Sequence, residues 1–258
     1  MTKPREDDVV VTAESGVLII TLNRPAQRNA MTLDIARVVA SSMRRLDNDP
    51  NLRVGVLTGA GGVFCAGMDL KRFQSGERPF IEGRGFGGLV ECPPDKPLIA
   101  AVEGWALGGG FELVLACDLV VASQTAKFGL PEVKRGLVAR AGGIFRVAQA
   151  LPRAIALEML LTGEPIDAQK GHALGLVNHL VDEGKAVEKA TVIATAIGAN
   201  APLAVRASKA LSRAARTWTD DEAFERQPSL TDPVFASNDA REGASAFAER
   251  RAPRWTGS

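Results

Sequence analysis

Apolar and polar positions alternate along the chain in a way that predicts its elements. "DVVVTAE" and "GVLIITLN" are dense in β-branched residues and are separated by Glu14-Ser15-Gly16, so they read as two strands joined by a hairpin turn. Asn23-Arg24-Pro25 stops the second strand, because proline cannot continue the ladder. Thr32 is predicted to cap "LDIARVVASSMRRLDND", a helix with Leu33, Ala36, Val39, Ala40 and Met43 on one face. From there a rhythm of apolar strand, glycine-rich turn and helix sets in. "RVGVLTG" runs into "AGGVFCAGMDLKRF", "PLIAAVEG" into "WALGGGFELVLACD", and "LVVAS" through "AKFGLPE" toward "AGGIFRVAQAL". Near-continuous apolar strands suit a sheet covered on its faces, so the expected architecture is layered α/β. The spacing is too irregular for a formal repeat.

Two stretches break the rhythm. Between Gln74 and Lys96, "QSGERPFIEGRGFGGLVECPPDK" is crowded with glycine and proline and reads as a long loop of the kind that carries function. After Ala199 only helical patterns remain: "APLAVRASKALSRAAR", "TDDEAFERQ" and "SNDAREGASAFAERR". The expected organisation is a core over residues 1–198 and a helical segment over residues 199–258 that serves assembly.

Composition narrows the function classes. The 258 residues carry 31 Lys and Arg against 30 Asp and Glu, a net charge of +1, which gives no reason to expect nucleic acid or an anionic membrane as a partner. The charged start "MTKPREDDVV" lacks the apolar core of a secretory signal, and no apolar run approaches the roughly 20 residues of a membrane span. Cys65, Cys92 and Cys117 are odd in number and widely spaced, and they read as reduced core thiols of a cytoplasmic protein. No H-E-x-x-H or C-x-x-C occurs, so no metal site is expected. There is no G-x-S-x-G elbow for a serine nucleophile. His172 and His179 read as structural or solvated, and Asp69 and Asp118 as caps or turn residues.

The segment "GWALGGGFELVLACD" concentrates the remaining chemistry. Its glycines match neither a P-loop nor a G-x-G-x-x-G fingerprint. A glycine turn entering a helix exposes backbone N–H groups that suit an oxyanion; close strand–helix packing is the plainer explanation. "FCAGMDL" is a second such turn, and the two could aim one N–H each at the same oxygen. Glu112 follows the glycines on a helix that is apolar nearly all round. A carboxylate there is costly unless paired, bonded or protonated, although a first-turn acid also complements the helix dipole. Glu132, after Pro131 in "KFGLPEVKRG", is by itself an ordinary surface acid. Paired with Glu112 it would form a couple able to hold a water, one taking its proton and the other delivering one.

"LNRPAQRNAM", "GGVFCAGMDL", "KPLIAAVEGWALGGGFELVLACD", "AKFGLPEVKRGLV" and "EGASAFAERR" together resemble the successive signatures of the enoyl-CoA hydratase (crotonase) superfamily, from about residue 17 to residue 251. Within it the chain is most similar to carnitinyl-CoA dehydratase-like members. The resemblance implies a spiral of ββα units with a C-terminal helical domain, assembled as a homotrimer or a dimer of trimers. It implies an acyl-CoA substrate, with coenzyme A entering as part of the thioester and no separate cofactor. Carried over by position, the oxyanion donors are the amides of Met68 and Gly109, and the catalytic acids are Glu112 and Glu132. The implied reaction is reversible hydration of a 2-enoyl-CoA, Glu132 exchanging the α-proton and Glu112 positioning or deprotonating the water. Coupled acids share protons, so this division is not readable from sequence. Ala26, Gln27, Arg28, Ala66, Asp69 and Leu70 match CoA-contacting segments. One position departs: Ala139-Arg140-Ala141-Gly142-Gly143 stands where hydratases read Pro-Gly-Ala-Gly-Gly. The Arg140 side chain then fills part of the acyl pocket, pairs with an acid or points to solvent. The resemblance leaves two rivals to the hydratase, a dehydratase of a polar ester such as carnitinyl-CoA and a silent acyl-CoA binder. Phe80, Phe86 and Trp105 are candidates to hold a trimethylammonium group.

Overall fold

A computed structural model describes residues 8–258. Strands β1 (Val9–Glu14) and β2 (Val17–Leu22) pair antiparallel, with Val9 opposite Leu22 and Glu14 opposite Val17. Ser15 and Gly16 close the hairpin at φ 50° and 80°, the positive values that a tight two-residue turn demands. Helix α1 (Leu33–Asn48) begins where Thr32 accepts a hydrogen bond from the Ile35 amide, and it buries Ile35, Ala36, Val39, Ala40, Met43 and Leu46. Then follow β3 (Val54–Gly59), α2 (Leu70–Gln74), β4 (Phe80–Ile81), β5 (Gly85–Phe86), β6 (Leu98–Val102), β7 (Trp105–Leu107) and α3 (Gly109–Ala116). The chain continues through β8 (Leu119–Ser123), β9 (Lys127–Gly129), α4 (Gly143–Ala150), α5 (Arg153–Thr162), β10 (Ile166–Asp167), α6 (Ala168–Ala173), β11 (His179–Val181) and α7 (Ala186–Gly198).

The main sheet has the order β1-β2-β3-β6-β8-β11, parallel from β2 onward. A second sheet, β10-β9-β7, is extended by a parallel bridge between Ala106 and Cys65, and Met31 bridges Met68 in the same sense. Each turn of chain therefore gives one strand to the main sheet and one short segment to the second layer before entering its helix. That stacking is the crotonase-like ββα spiral. Main-sheet strands are apolar throughout because both faces are covered. Leu18, Ile20, Leu57, Ala100 and Ala122 face the core shared with α1 and α3. Val54, Val56, Ile99, Ala101 and Val121 face α7, which lays Ala186, Ala190 and Ala194 against them at helical spacing.

Two expectations need adjusting. The helix after "AGMD" is only five residues long, because Asp69 caps it and Ser75-Gly76 ends it. The stretch from Gln74 to Lys96 is not all loop: β4 and β5 form a small hairpin with Phe80 opposite Phe86. Their rings meet edge to face at 5.6 Å.

Beyond α7 come α8 (Pro202–Ala214), α9 (Asp220–Arg226), α10 (Pro228–Phe235) and α11 (Asn238–Ala248). The buried carboxylate of Asp239 accepts hydrogen bonds from the amides of Thr256 and Gly257, and the Trp255 indole donates to the Ala199 carbonyl. These contacts fold the last residues back onto the start of the helical segment. Among the described residues, no single helix is long and apolar enough to cross a membrane.

The turn between β2 and α1 depends on Asn29, buried at φ 54°. Its Oδ1 accepts from the Arg24 amide, and its Nδ2 donates to the carbonyls of Ala60 and Val63 at 2.9 and 2.6 Å. Three partners would be orphaned by Asn29→Ala. We expect a loss of about 2–4 kcal/mol, read as a lower urea midpoint at unchanged slope.

Candidate active site

Two backbone turns meet at the seam between the second and third turns of the spiral. The first, Cys65 to Asp69, is held by Met31 N–H donating to the Gly67 carbonyl and Asp69 N–H to the Met31 carbonyl. The second is Gly108-Gly109-Gly110, where β7 enters α3. The approach leaves no room for side chains. A Cβ on Gly110 would lie 2.1 Å from the Cys65 carbonyl oxygen, and one on Gly109 would lie 2.3 Å from the Phe86 ring. A Cβ on Gly67 would come 3.1 Å from the Gly109 nitrogen, which shows how near the two turns are. Among the described residues, neither the Met68 nor the Gly109 N–H has a hydrogen-bond acceptor. Gly109 opens α3, so its N–H points out of the helix at the positive end of the dipole.

Glu112 sits one turn further along α3, where Phe111, Leu113, Val114 and Ala116 are buried around it, and it is 3% exposed. Its Oε1 accepts hydrogen bonds from the amides of Ala141 and Gly143 at 2.7 and 2.9 Å. Burial raises its pKa, and those two amides, with Arg146 further off, oppose the rise by favouring the ionised form. Glu132 follows Pro131 in a 3-10 turn, Pro131–Arg135. Its Oε2 is buried and receives no hydrogen bond among the described residues. Burial first, and then the charge of Glu112, push its pKa up to about 7. The two carboxyls thus feel each other but differ in support: one is held by two amides of the loop leading into α4, the other only by its own backbone N–H.

Both glutamates line one cavity of about 300 Å³, together with Met68 and Gly109. Of the other residues singled out in the sequence, Arg28, Ala66, Leu70 and Arg140 also line it. Three do not. Ala26 and Gln27 are exposed on a 3-10 turn (Pro25–Gln27) beside it. The Asp69 carboxylate is taken up by the Lys71 and Arg72 amides and by Arg24 at 3.3 Å. Of the aromatic candidates, Phe80 and Phe86 form a wall of the cavity, but Trp105 stands outside it, 39% exposed with Lys127 over its ring. Sequence reasoning missed Phe73, Arg78, Arg135, Leu137 and Val138 as lining residues. They come from loops, a 3-10 turn and the five-residue α2, all too short for a periodicity to mark which side faces inward. Of the three cysteines expected in the core, Cys65 is buried, its pKa pushed up to about 12 by burial, and Cys117 is half-buried, but Cys92 is exposed on the segment between β5 and β6.

Residues 12–258 match the family model described as enoyl-CoA hydratase/isomerase. The chain is 41% identical over 257 residues to enoyl-CoA hydratase EchA19 of Mycobacterium tuberculosis, covering 96% of each protein. It is 40% identical over 255 residues to a carnitinyl-CoA dehydratase of Proteus mirabilis, covering 96% of this chain and 97% of that one. Among solved structures, enoyl-CoA hydratase EchA1 of Mycobacterium marinum superposes with a TM-score of 0.96 at 53% identity, over 98% of this chain and 100% of that one. With the spiral, the glycine seam and matches that run nearly end to end, the chain belongs to the enoyl-CoA hydratase/isomerase family, the crotonase superfamily.

Proposed function

We propose that the chain catalyses the reversible addition of water across the 2,3 double bond of a 2-enoyl-CoA, giving a 3-hydroxyacyl-CoA. The observation that carries this reading is the meeting of a buried carboxyl, a half-buried one and two uncommitted amides in a single cavity. The thioester oxygen accepts from the Met68 and Gly109 N–H groups, which hold the charge that develops as the enolate forms. Each such donor is worth roughly 3 kcal/mol in the transition state.

In the hydration direction, ionised Glu112 takes a proton from water as the water oxygen bonds to C3. Protonated Glu132 delivers a proton to C2. The pair keeps one proton throughout, and dehydration is the same sequence reversed. The environments support this assignment: two amides favour the Glu112 anion, whereas Glu132 near pH 7 can still hold its proton. Coenzyme A enters with the substrate, and the reaction as written calls for no further cofactor. Dehydration of a polar ester such as carnitinyl-CoA would use the same groups, and the similarity to a carnitinyl-CoA dehydratase favours it as the second reading. A silent acyl-CoA binder would leave the pair of facing glutamates without a use.

We also infer that residues 199–258 serve assembly into a homotrimer or a dimer of trimers. Phe224, Phe235 and Phe247, one on each of α9, α10 and α11, are 74%, 81% and 88% exposed, and apolar surface of that kind suits burial between copies.

Loss of enoyl absorbance with crotonyl-CoA tests the chemistry. We expect turnover by the wild type and a fall in kcat of about 10²–10⁴-fold in Glu132→Gln and in Glu112→Gln. Binding of CoA esters without hydration or exchange of the α-proton with solvent deuterium would sink the proposal. Because the Glu132 acid form is consumed as pH rises through about 7, kcat/KM for hydration should fall above that pH. A flat profile to pH 9 would contradict the role given to Glu132. Light scattering should report three or six chains per particle; a monomer at micromolar concentration would refute the assembly reading.

A further inference from the structure

Arg140 occupies the place where the resemblance leads one to expect glycine, directly before Ala141, whose amide holds Glu112. Its guanidinium lies over the Phe80 ring at 5.5 Å from the centroid and lines the cavity. Among the described residues it has no hydrogen bond or ion pair. The other arginines at the cavity are placed differently. Arg78 donates to the carbonyls of Phe73 and Glu77 and stacks on Phe73, and Arg135 donates to the Pro131 carbonyl. Arg28, at the end of the 3-10 turn after β2, also has no side-chain hydrogen bond or ion pair among the described residues, but it makes no ring contact with the Phe80–Phe86 wall; its carbonyl accepts from the Ala66 amide.

A continuous wall links the reacting end of the cavity to Arg140. The Phe86 ring presses on Gly109, Phe80 stacks edge to face on Phe86, and Arg140 covers Phe80. An acyl chain whose thioester oxygen meets the Gly109 amide would run along these two rings and end at the guanidinium. The same cation–π contact places a positive charge on the aromatic face that a trimethylammonium tail would need.

On the reading of the site as an acyl-CoA pocket, we infer that Arg140 selects an acyl group ending in a carboxylate, so that the preferred substrate is the mono-CoA thioester of a short unsaturated dicarboxylic acid. An anionic tail near Glu112 and Glu132 would be repelled without a counter-charge, and a guanidinium supplies that charge with the fork geometry a carboxylate accepts. Arg140 is exposed, so a neutral tail would leave its guanidinium to water and gain nothing from it, and a cationic tail would face a like charge.

Saturated esters report this selection without any chemistry. Glutaryl-CoA, valeryl-CoA and 4-trimethylammoniobutyryl-CoA would be titrated calorimetrically into the wild type and into Arg140→Gln and Arg140→Lys. Glutaryl-CoA should bind at least about tenfold more tightly than valeryl-CoA, and the cationic ester more weakly than both. Arg140→Gln should erase the glutaryl advantage, and Arg140→Lys should keep part of it. Wild-type affinity for glutaryl-CoA equal to or below that for valeryl-CoA would overturn the inference. So would an equal loss for all three esters in Arg140→Gln, which would put the guanidinium on the coenzyme's phosphates. A wild type that prefers glutaryl-CoA yet hydrates no enoyl-CoA would refute the hydratase and leave the Arg140 selection standing. One that hydrates crotonyl-CoA and shows no such preference would do the reverse.

Discussion

Everything at this site depends on a backbone-to-backbone approach. The Gly110 Cα sits so close to the Cys65 carbonyl that even a methyl group would fall 2.1 Å from the oxygen. That contact fixes the separation of two successive turns of the spiral, and with it the relative position of the Met68 and Gly109 amides. Hydrogen bonds on the far side, from Met31 to Gly67 and from Asp69 to Met31, hold the first of these turns from behind. Neither turn relies on a flexible side chain for its placement, so the donors are set before any ligand arrives. Preorganisation of this kind is what makes a backbone dipole effective, because no reorganisation is left to be done when charge develops.

Burial supplies the second ingredient. Glu112 lies within a helix that is apolar nearly all round, and the desolvation this imposes is offset by two amides from the loop leading into α4. Glu132 has no such support at Oε2 and takes the larger upward push in pKa. Two chemically identical acids are therefore separated in behaviour by which backbone donors reach them. The charge of Arg135 opposes the rise at Glu132, but burial and the Glu112 charge outweigh it.

Long, periodic elements were legible in the sequence, and short or purely tertiary ones were not. The β1–β2 hairpin, the Thr32 cap and the apolar face of α1 follow from local pattern and are found where that pattern puts them. The burial of Glu112 was readable because its neighbours on the helix are apolar on every side. The second sheet was not, since β7, β9 and β10 are two or three residues long and form no period. Asn29 is a lone polar residue whose three bonds reach across the fold, and no spacing rule marks it. Trp105 looked suited to a binding pocket by type, yet strand alternation turns Ala106 inward and leaves the indole outside. Asp69 shows the converse, a residue at a matching position whose side chain is consumed by its own helix cap.

The seam between turns has a consequence for how such a fold changes its substrates. The amide pair belongs to the stacking of one turn on the next, whereas Arg78, Phe80 and Phe86 reach the cavity from the segment 74–96, and Leu137, Val138 and Arg140 from the loop before α4. Replacing Arg140 or the Phe80–Phe86 hairpin alters what an acyl chain meets without moving Gly110 against Cys65. The amide pair is thus locked by backbone contact and intolerant of a single added methyl. Side chains such as Phe80 and Arg140 can change around it, provided the Ala141 and Gly143 amides still hold Glu112.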